Sequence, residues 1–170
     1  MSDYSQKCIA RLEELGAPLY GWVCVDVVDL GSAEFTCELC GYDPIRYVHI
    51  MVHSEWQGVF RVGCVCDGTM SGDMLAAKHR DRAARLKSSR KSAFLKKQWK
   101  EHSAGYMVLN TRIRIIAEKD SFSGREFYKV TVGGEQYQWW NNRRVESLAE
   151  AKLLAFEVLE HERETDRAEI

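Results

Sequence analysis

Cys37-Glu38-Leu39-Cys40-Gly41 and, after 23 intervening residues from Cys40, Cys64-Val65-Cys66 decide how this chain is read. Two closely spaced cysteine pairs need either oxidation or a metal to explain them. The opening residues, Met1-Ser2-Asp3-Tyr4-Ser5-Gln6, have neither the basic start nor the apolar run of a secretion signal. The chain therefore reads as cytoplasmic, where thiols stay reduced and a disulfide framework is disfavoured. Four thiolates at about 2.3 Å around one Zn²⁺ form a closed structural site. Cys37, Cys40, Cys64 and Cys66 are accordingly the expected zinc ligands, with Gly41 supplying the left-handed turn of a knuckle. Cys8 and Cys24 stand outside the pattern.

Between the pairs, Ile45–His53 and Val59–Val65 read as two strands joined by the turn Ser54-Glu55-Trp56-Gln57-Gly58. Knuckle, hairpin and then a ligand pair leading into a helix is the order of a treble clef. Upstream, Ile9, Leu12 and Leu15 recur at helical spacing and Gly16 and Pro18 stop the helix. Residues 20–30, rich in Val and aromatic side chains on both faces, read as a buried strand. His49 and His53 are rival metal ligands, and a treble-clef nuclease would use such a histidine as general base. No matching Asn and second His accompany them, so His49 reads as a sheet histidine and His53 as a turn residue.

Downstream, residues 73–100 read as helix. Leu75 and Leu86 share a face and Leu95 faces the other way, which predicts two helices with a break near Ser88-Ser89. From Tyr106 the pattern turns to strands. Ile113 and Ile115 alternate with Arg112 and Arg114, and Glu126–Val132, the Gly133-Gly134 turn and Gln136–Trp140 follow. Ser147 with Glu150 makes a capping box for a last helix, whose inner stripe includes Leu148, Ala151, Leu154, Ala155, Val158 and Leu159. After about Glu164 the acidic tail is expected to fray.

The formal net charge of -1, with 29% charged and 45% hydrophobic residues, excludes wholesale disorder but conceals an uneven distribution. Residues 78–100 carry ten Lys or Arg against one Asp, while residues 1–63 and 146–170 each sum to -5. Such density attracts phosphates, with salt-dependent affinity. Lys78, Arg80, Arg82, Arg85, Lys87, Arg90 and Lys91 are the candidate contacts. Trp140, Arg143 and Arg144 add a stacking ring and two cations at a strand end. The competing reading pairs these cations with the acidic ends. No apolar run approaches the 18–20 residues or so of a bilayer span, so no membrane partner is expected.

Cys37-Glu38-Leu39-Cys40-Gly41, Ile45-Arg46-Tyr47-Val48-His49, Val62-Gly63-Cys64-Val65-Cys66 and the late Glu150–Phe156 helix resemble a group of small bacterial and phage proteins. The resemblance covers most of the chain. It implies the zinc module and the β-β-β-α tail and supplies no activity.

The fold expected is α+β: a treble-clef-like zinc module with a β-hairpin (1–72), a basic helical segment (73–104), and a three-stranded antiparallel sheet plus helix (105–170). The function expected is non-catalytic, zinc-stabilised binding of nucleic acid, DNA or RNA. The alternatives are a phage or mobile-element factor acting on a host protein, and a metal-dependent nuclease using His49 or His53.

Overall fold

Short amphipathic segments punctuated by glycine build a mixed α+β molecule, seen in a computed structural model that describes residues 2–42, 44–102, 106–110 and 112–168. Four helices and antiparallel sheets appear among the described residues. The chain divides into two units, Met1–Arg90 and Lys91–Ile170.

In the first unit, helix α1 (Asp3–Leu15) is capped by Ser2, whose hydroxyl accepts from Ser5 N, and ends at left-handed Gly16. It buries Ser5, Cys8 and Leu12 rather than the expected Ile9–Leu12–Leu15 stripe. Strands β1 (Val23–Asp29), β2 (Tyr47–Val52) and β3 (Phe60–Val62) form an antiparallel sheet in that order. The hairpin between the cysteine pairs is thus present as β2–β3, with His49 opposite Val62. Strand β1, expected to be buried, lies at the sheet edge and exposes Val23 and Val25. Trp22, just before it, anchors the core and donates from Nε1 to the Pro18 carbonyl at 2.7 Å.

The returning strand is shorter than its sequence predicts. It stops at Val62, Gly63 caps the next segment, and helix α2 (Cys64–Ser71) already contains both cysteines of the second pair. Left-handed Gly72 ends α2, and α3 (Met74–Leu95) starts two residues later, with the Asp73 side chain accepting from Ala76 N at 2.8 Å. Gly68 is needed where the two helices meet, because a Cβ there would fall 2.8 Å from Met74 Cα.

Helix α3 is continuous, so the break expected near Ser88-Ser89 is absent. Ser88 is buried and its hydroxyl accepts from Arg46 Nη2 at 2.8 Å. Leu75 and Leu86, whose spacing marked the supposed inner face, are 66% and 51% exposed. The inner face instead carries Ala77, Arg80, Asp81 and Ser88, small or ion-paired residues that hydrophobic periodicity does not register. The basic stretch is shared between the units, whose boundary falls after Arg90.

The second unit holds a five-stranded sheet: β4 (Lys100–His102), β5 (Tyr106–Asn110), β6 (Ile113–Lys119), β7 (Glu126–Val132) and β8 (Glu135–Tyr137), each paired with the next. Three strands were expected, and the two extra ones, β4 and β5, lie side by side beyond β6. The expected final strand, Gln136–Trp140, is divided at Gln138: β8 stays in the sheet, while β9 (Trp139–Trp140) turns back through Asn141 and Asn142, both at positive φ, to pair with β10 (Arg143–Arg144). Ile113, Ile115, Val130 and Val132 meet Ala151, Leu154, Ala155 and Phe156 of helix α4 (Leu148–Ala168) in one core. The Ser147 half of the capping box is present, its hydroxyl accepting from Glu150 N at 3.2 Å, while the Glu150 carboxylate accepts from Glu146 N at 3.1 Å and not from Ser147 N.

Candidate metal centre

The knuckle is built as its sequence predicts. Gly41 N donates to the Cys37 carbonyl at 3.1 Å, Cys37 N donates to the Tyr42 carbonyl at 2.9 Å, and Gly41 takes φ 68°. This turn aims Cys37 and Cys40 at the first turn of α2, where Cys66 meets them. The three sulfurs lie within 4.8 Å of one another. Cys37 and Cys66 Sγ are 3.6 Å apart, close to the roughly 3.8 Å edge of a tetrahedron with bonds of about 2.3 Å. The hydrogen bond with Cys66 holds the Cys37 thiol well below its ordinary range, against burial, and backbone N–H groups of Cys40, Gly63 and Leu39 assist. Hydrogen bonds with Cys37 and Cys8, together with burial, push Cys66 up. Burial pushes the Cys40 thiol up as well, so the cluster favours one thiolate, and metal binding displaces the protons of the other two thiols.

Cys64 does not join this group. Successive helical residues turn by about 100°, so two positions apart on α2 point to opposite sides. Cys66 faces the knuckle, whereas Cys64 lies with His49 and Asp81. A further buried sulfur, Cys8 of α1, shares this core with Cys37 and Cys66 and pushes the Cys66 thiol up. Its spacing to Leu12 on the buried face was the sequence signal for that inward position.

Beside the cluster runs a polar array centred on His49, which is 0% exposed in the middle strand of its sheet. His49 Nδ1 lies 2.6 Å from Asp67 Oδ2 and 3.8 Å from Cys24 Sγ. Arg80 grips Asp67 from α3, Nη2 to Oδ1 at 2.6 Å and Nε to Oδ2 at 3.1 Å. Burial works against the Asp67 carboxylate, but His49 and Arg80 outweigh it and hold the carboxyl below its usual range. Burial alone would lower His49 as well, and its hydrogen bonds to Asp67 and Cys24 raise it to about 9. Burial, then the charges of Asp81 and Asp67, push the Cys64 thiol up to about 11. His53, by contrast, is a turn residue whose Nδ1 accepts from Glu55 N at 3.0 Å and whose ring packs against Trp22.

Few of the basic residues are free to face a partner. Arg80 is committed to Asp67, and Arg85 to Asp81 at 2.6 Å, with its guanidinium 4.6 Å from the Tyr47 ring centre. Lys91 pairs with Glu157 at 3.6 Å, Arg144 with Asp120 at 2.6 Å, and Arg143 with Glu150. Lys87 and Arg90 are also engaged within the protein. Lys78 and Arg82 remain exposed with no ion pair among the described residues. Of the two indoles, Trp140 packs against the core of the second unit, and the exposed ring is Trp139.

Neither the family models, the curated proteins nor the solved structures return a match to this chain. Its chemistry is therefore read from its own geometry. No helix among the described residues is long and apolar enough to cross a membrane.

Proposed function

We propose that this protein is a zinc-stabilised nucleic-acid-binding module of treble-clef-like design, non-catalytic in its cysteine centre. The all-sulfur donor set of Cys37, Cys40 and Cys66, with the buried Cys8 in the same core as a further thiol, suits zinc as a structural ion. The order of knuckle, hairpin and helix supports the same reading.

The observation that carries the binding role is the outward stripe of α3. Lys78 and Arg82, one turn apart, are exposed without ion pairs among the described residues, and the remaining cations of the helix brace the fold. The phosphate-contacting set is therefore smaller than the basic segment suggests. Two phosphate contacts give a slope of about -1.8 in log K against log salt, or roughly tenfold weaker binding between 50 and 200 mM.

Fluorescence anisotropy with a labelled duplex and its single strands at several salt concentrations tests this. Lys78→Gln with Arg82→Gln removes most of that slope. Salt-independent binding, no binding, or an unchanged slope in the double variant overturns the proposal. Leu75 and Leu86 on the same stripe favour a second reading, docking of a protein partner, which predicts capture that persists at high salt and fails in Leu75→Asp.

A further inference from the structure

The His49 array contains a polar atom that neither the sheet nor the cysteine cluster explains. His49 Nε2 is fully buried and makes no hydrogen bond among the described residues. Its ring is not free to turn away, because Asp67 fixes the opposite nitrogen at 2.6 Å and Arg80 in turn fixes Asp67. A histidine held in this way by a carboxylate has its outer nitrogen aimed for coordination, which a cation achieves by displacing the proton there.

Two further donors face that nitrogen from the helices. Asp81 Oδ1 lies 3.7 Å away, too far for a hydrogen bond, while the same carboxylate's Oδ2 accepts from Arg85 Nε at 2.6 Å. Cys64 Sγ completes a group whose three donor atoms lie within 4.8 Å of one another. Two nitrogen or oxygen ligands of a tetrahedral zinc, with bonds of about 2.0–2.2 Å, stand roughly 3.3–3.6 Å apart. The observed spacing is thus close to that between co-ligands.

We propose that His49 Nε2, Cys64 Sγ and Asp81 Oδ1 bind a second divalent cation of the zinc class, separate from the ion at Cys37, Cys40 and Cys66. One thiolate and one carboxylate neutralise the dication, and the mixed nitrogen, sulfur and oxygen set suits zinc over magnesium or calcium. The neighbouring group of Cys24, His49 and Asp67 is not a rival, because it uses Nδ1, which the Asp67 hydrogen bond already occupies. Three protein ligands leave one coordination position open, the arrangement of reactive rather than purely structural zinc. Cys64 and Asp81 line a cavity of about 490 Å³, so the open position is reachable from outside.

Elemental analysis and Co²⁺ titration of the full chain test the assignment, with the intensity of the thiolate-to-cobalt absorption separating the all-sulfur site from the single-thiolate one. Wild type is expected to bind two equivalents. Asp81→Asn and Cys64→Ser are each expected to bind one, with the all-sulfur spectrum and the circular dichroism retained. One equivalent in wild type, or two in the Cys64→Ser/Asp81→Asn double variant, overturns the second site. A wild-type stoichiometry of one that disappears in Cys64→Ser would assign Cys64 to the first cluster instead. Loss of nucleic-acid binding with both metals retained would leave this proposal standing and remove the binding role alone.

Discussion

Replacing Asp67 with asparagine should damage the first unit more than any exposed charge change. Asp67 is wholly buried, and both oxygens are used: Oδ2 by His49 at 2.6 Å and by Arg80 Nε at 3.1 Å, Oδ1 by Arg80 Nη2 at 2.6 Å. Removing one partner of a buried, hydrogen-bonded ion pair costs about 3–5 kcal/mol, because the remaining charge stays desolvated. The Arg80 side chain is 32% exposed, so water relieves part of that penalty and the lower end, about 3 kcal/mol, applies. For a unit of this size 1 kcal/mol shifts the midpoint by roughly 4–8 °C. Asp67→Asn should therefore lower the thermal transition of residues 1–90 by about 12 °C or more in scanning calorimetry of the metal-loaded chain. Adding Arg80→Leu should restore part of the loss, since the cost lies in the orphaned charge. A shift below about 4 °C, or a double variant worse than the sum of its parts, would refute this reasoning.

Asp29 gives a pH signature. Hydrogen bonds from Arg46 at 2.7 and 3.0 Å, with help from Ser88 and Gly31, hold its carboxyl far below the ordinary 3.8. The unfolded chain then binds more protons, so this contribution is full above about pH 4 and lost as pH falls through the folded value. Urea midpoints between pH 5 and pH 2 should drop less steeply in Asp29→Asn than in wild type. Gly68→Ala should cost about 1–3 kcal/mol by denaturant titration, because the added methyl meets Met74 backbone and cannot be accommodated by a side-chain rotation. Trp140→Ala should cost about 3 kcal/mol in the second unit, whereas Trp139→Ala should change stability by less than about 1 kcal/mol.

Local spacing made the knuckle, the hairpin, the Ile113/Ile115 alternation and the Ser147 cap legible in the sequence, because each is fixed within a few residues. Where Cys64 goes was not legible. A cysteine pair two apart chelates together from a strand but diverges on a helix, and Gly63 starts the helix one residue before Cys64. Asp67 and Arg80 were invisible for a related reason: their partners come from different elements, and Arg80 counted only as one more cation in a basic run. The same limit misplaced the inner face of α3. Leucine spacing reports burial only where apolar contact is what holds a helix down, and here Arg80 and Ser88 do so through polar bonds. Cys8 was missed because its spacing to Leu12 marks burial and not chemistry, and only the fold brings α1 against α2.

On the reading proposed above, Cys37, Cys40 and Cys66 hold a metal ion that organises the first unit. Hydrogen exchange of the full chain before and after a strong zinc chelator tests this. Amides of β2, β3 and α2 are expected to lose protection on chelation while those of β6 and β7 keep theirs, with Cys40→Ser reproducing the effect. Unchanged protection in β2, β3 and α2, from a chain whose elemental analysis shows no bound zinc, would contradict it.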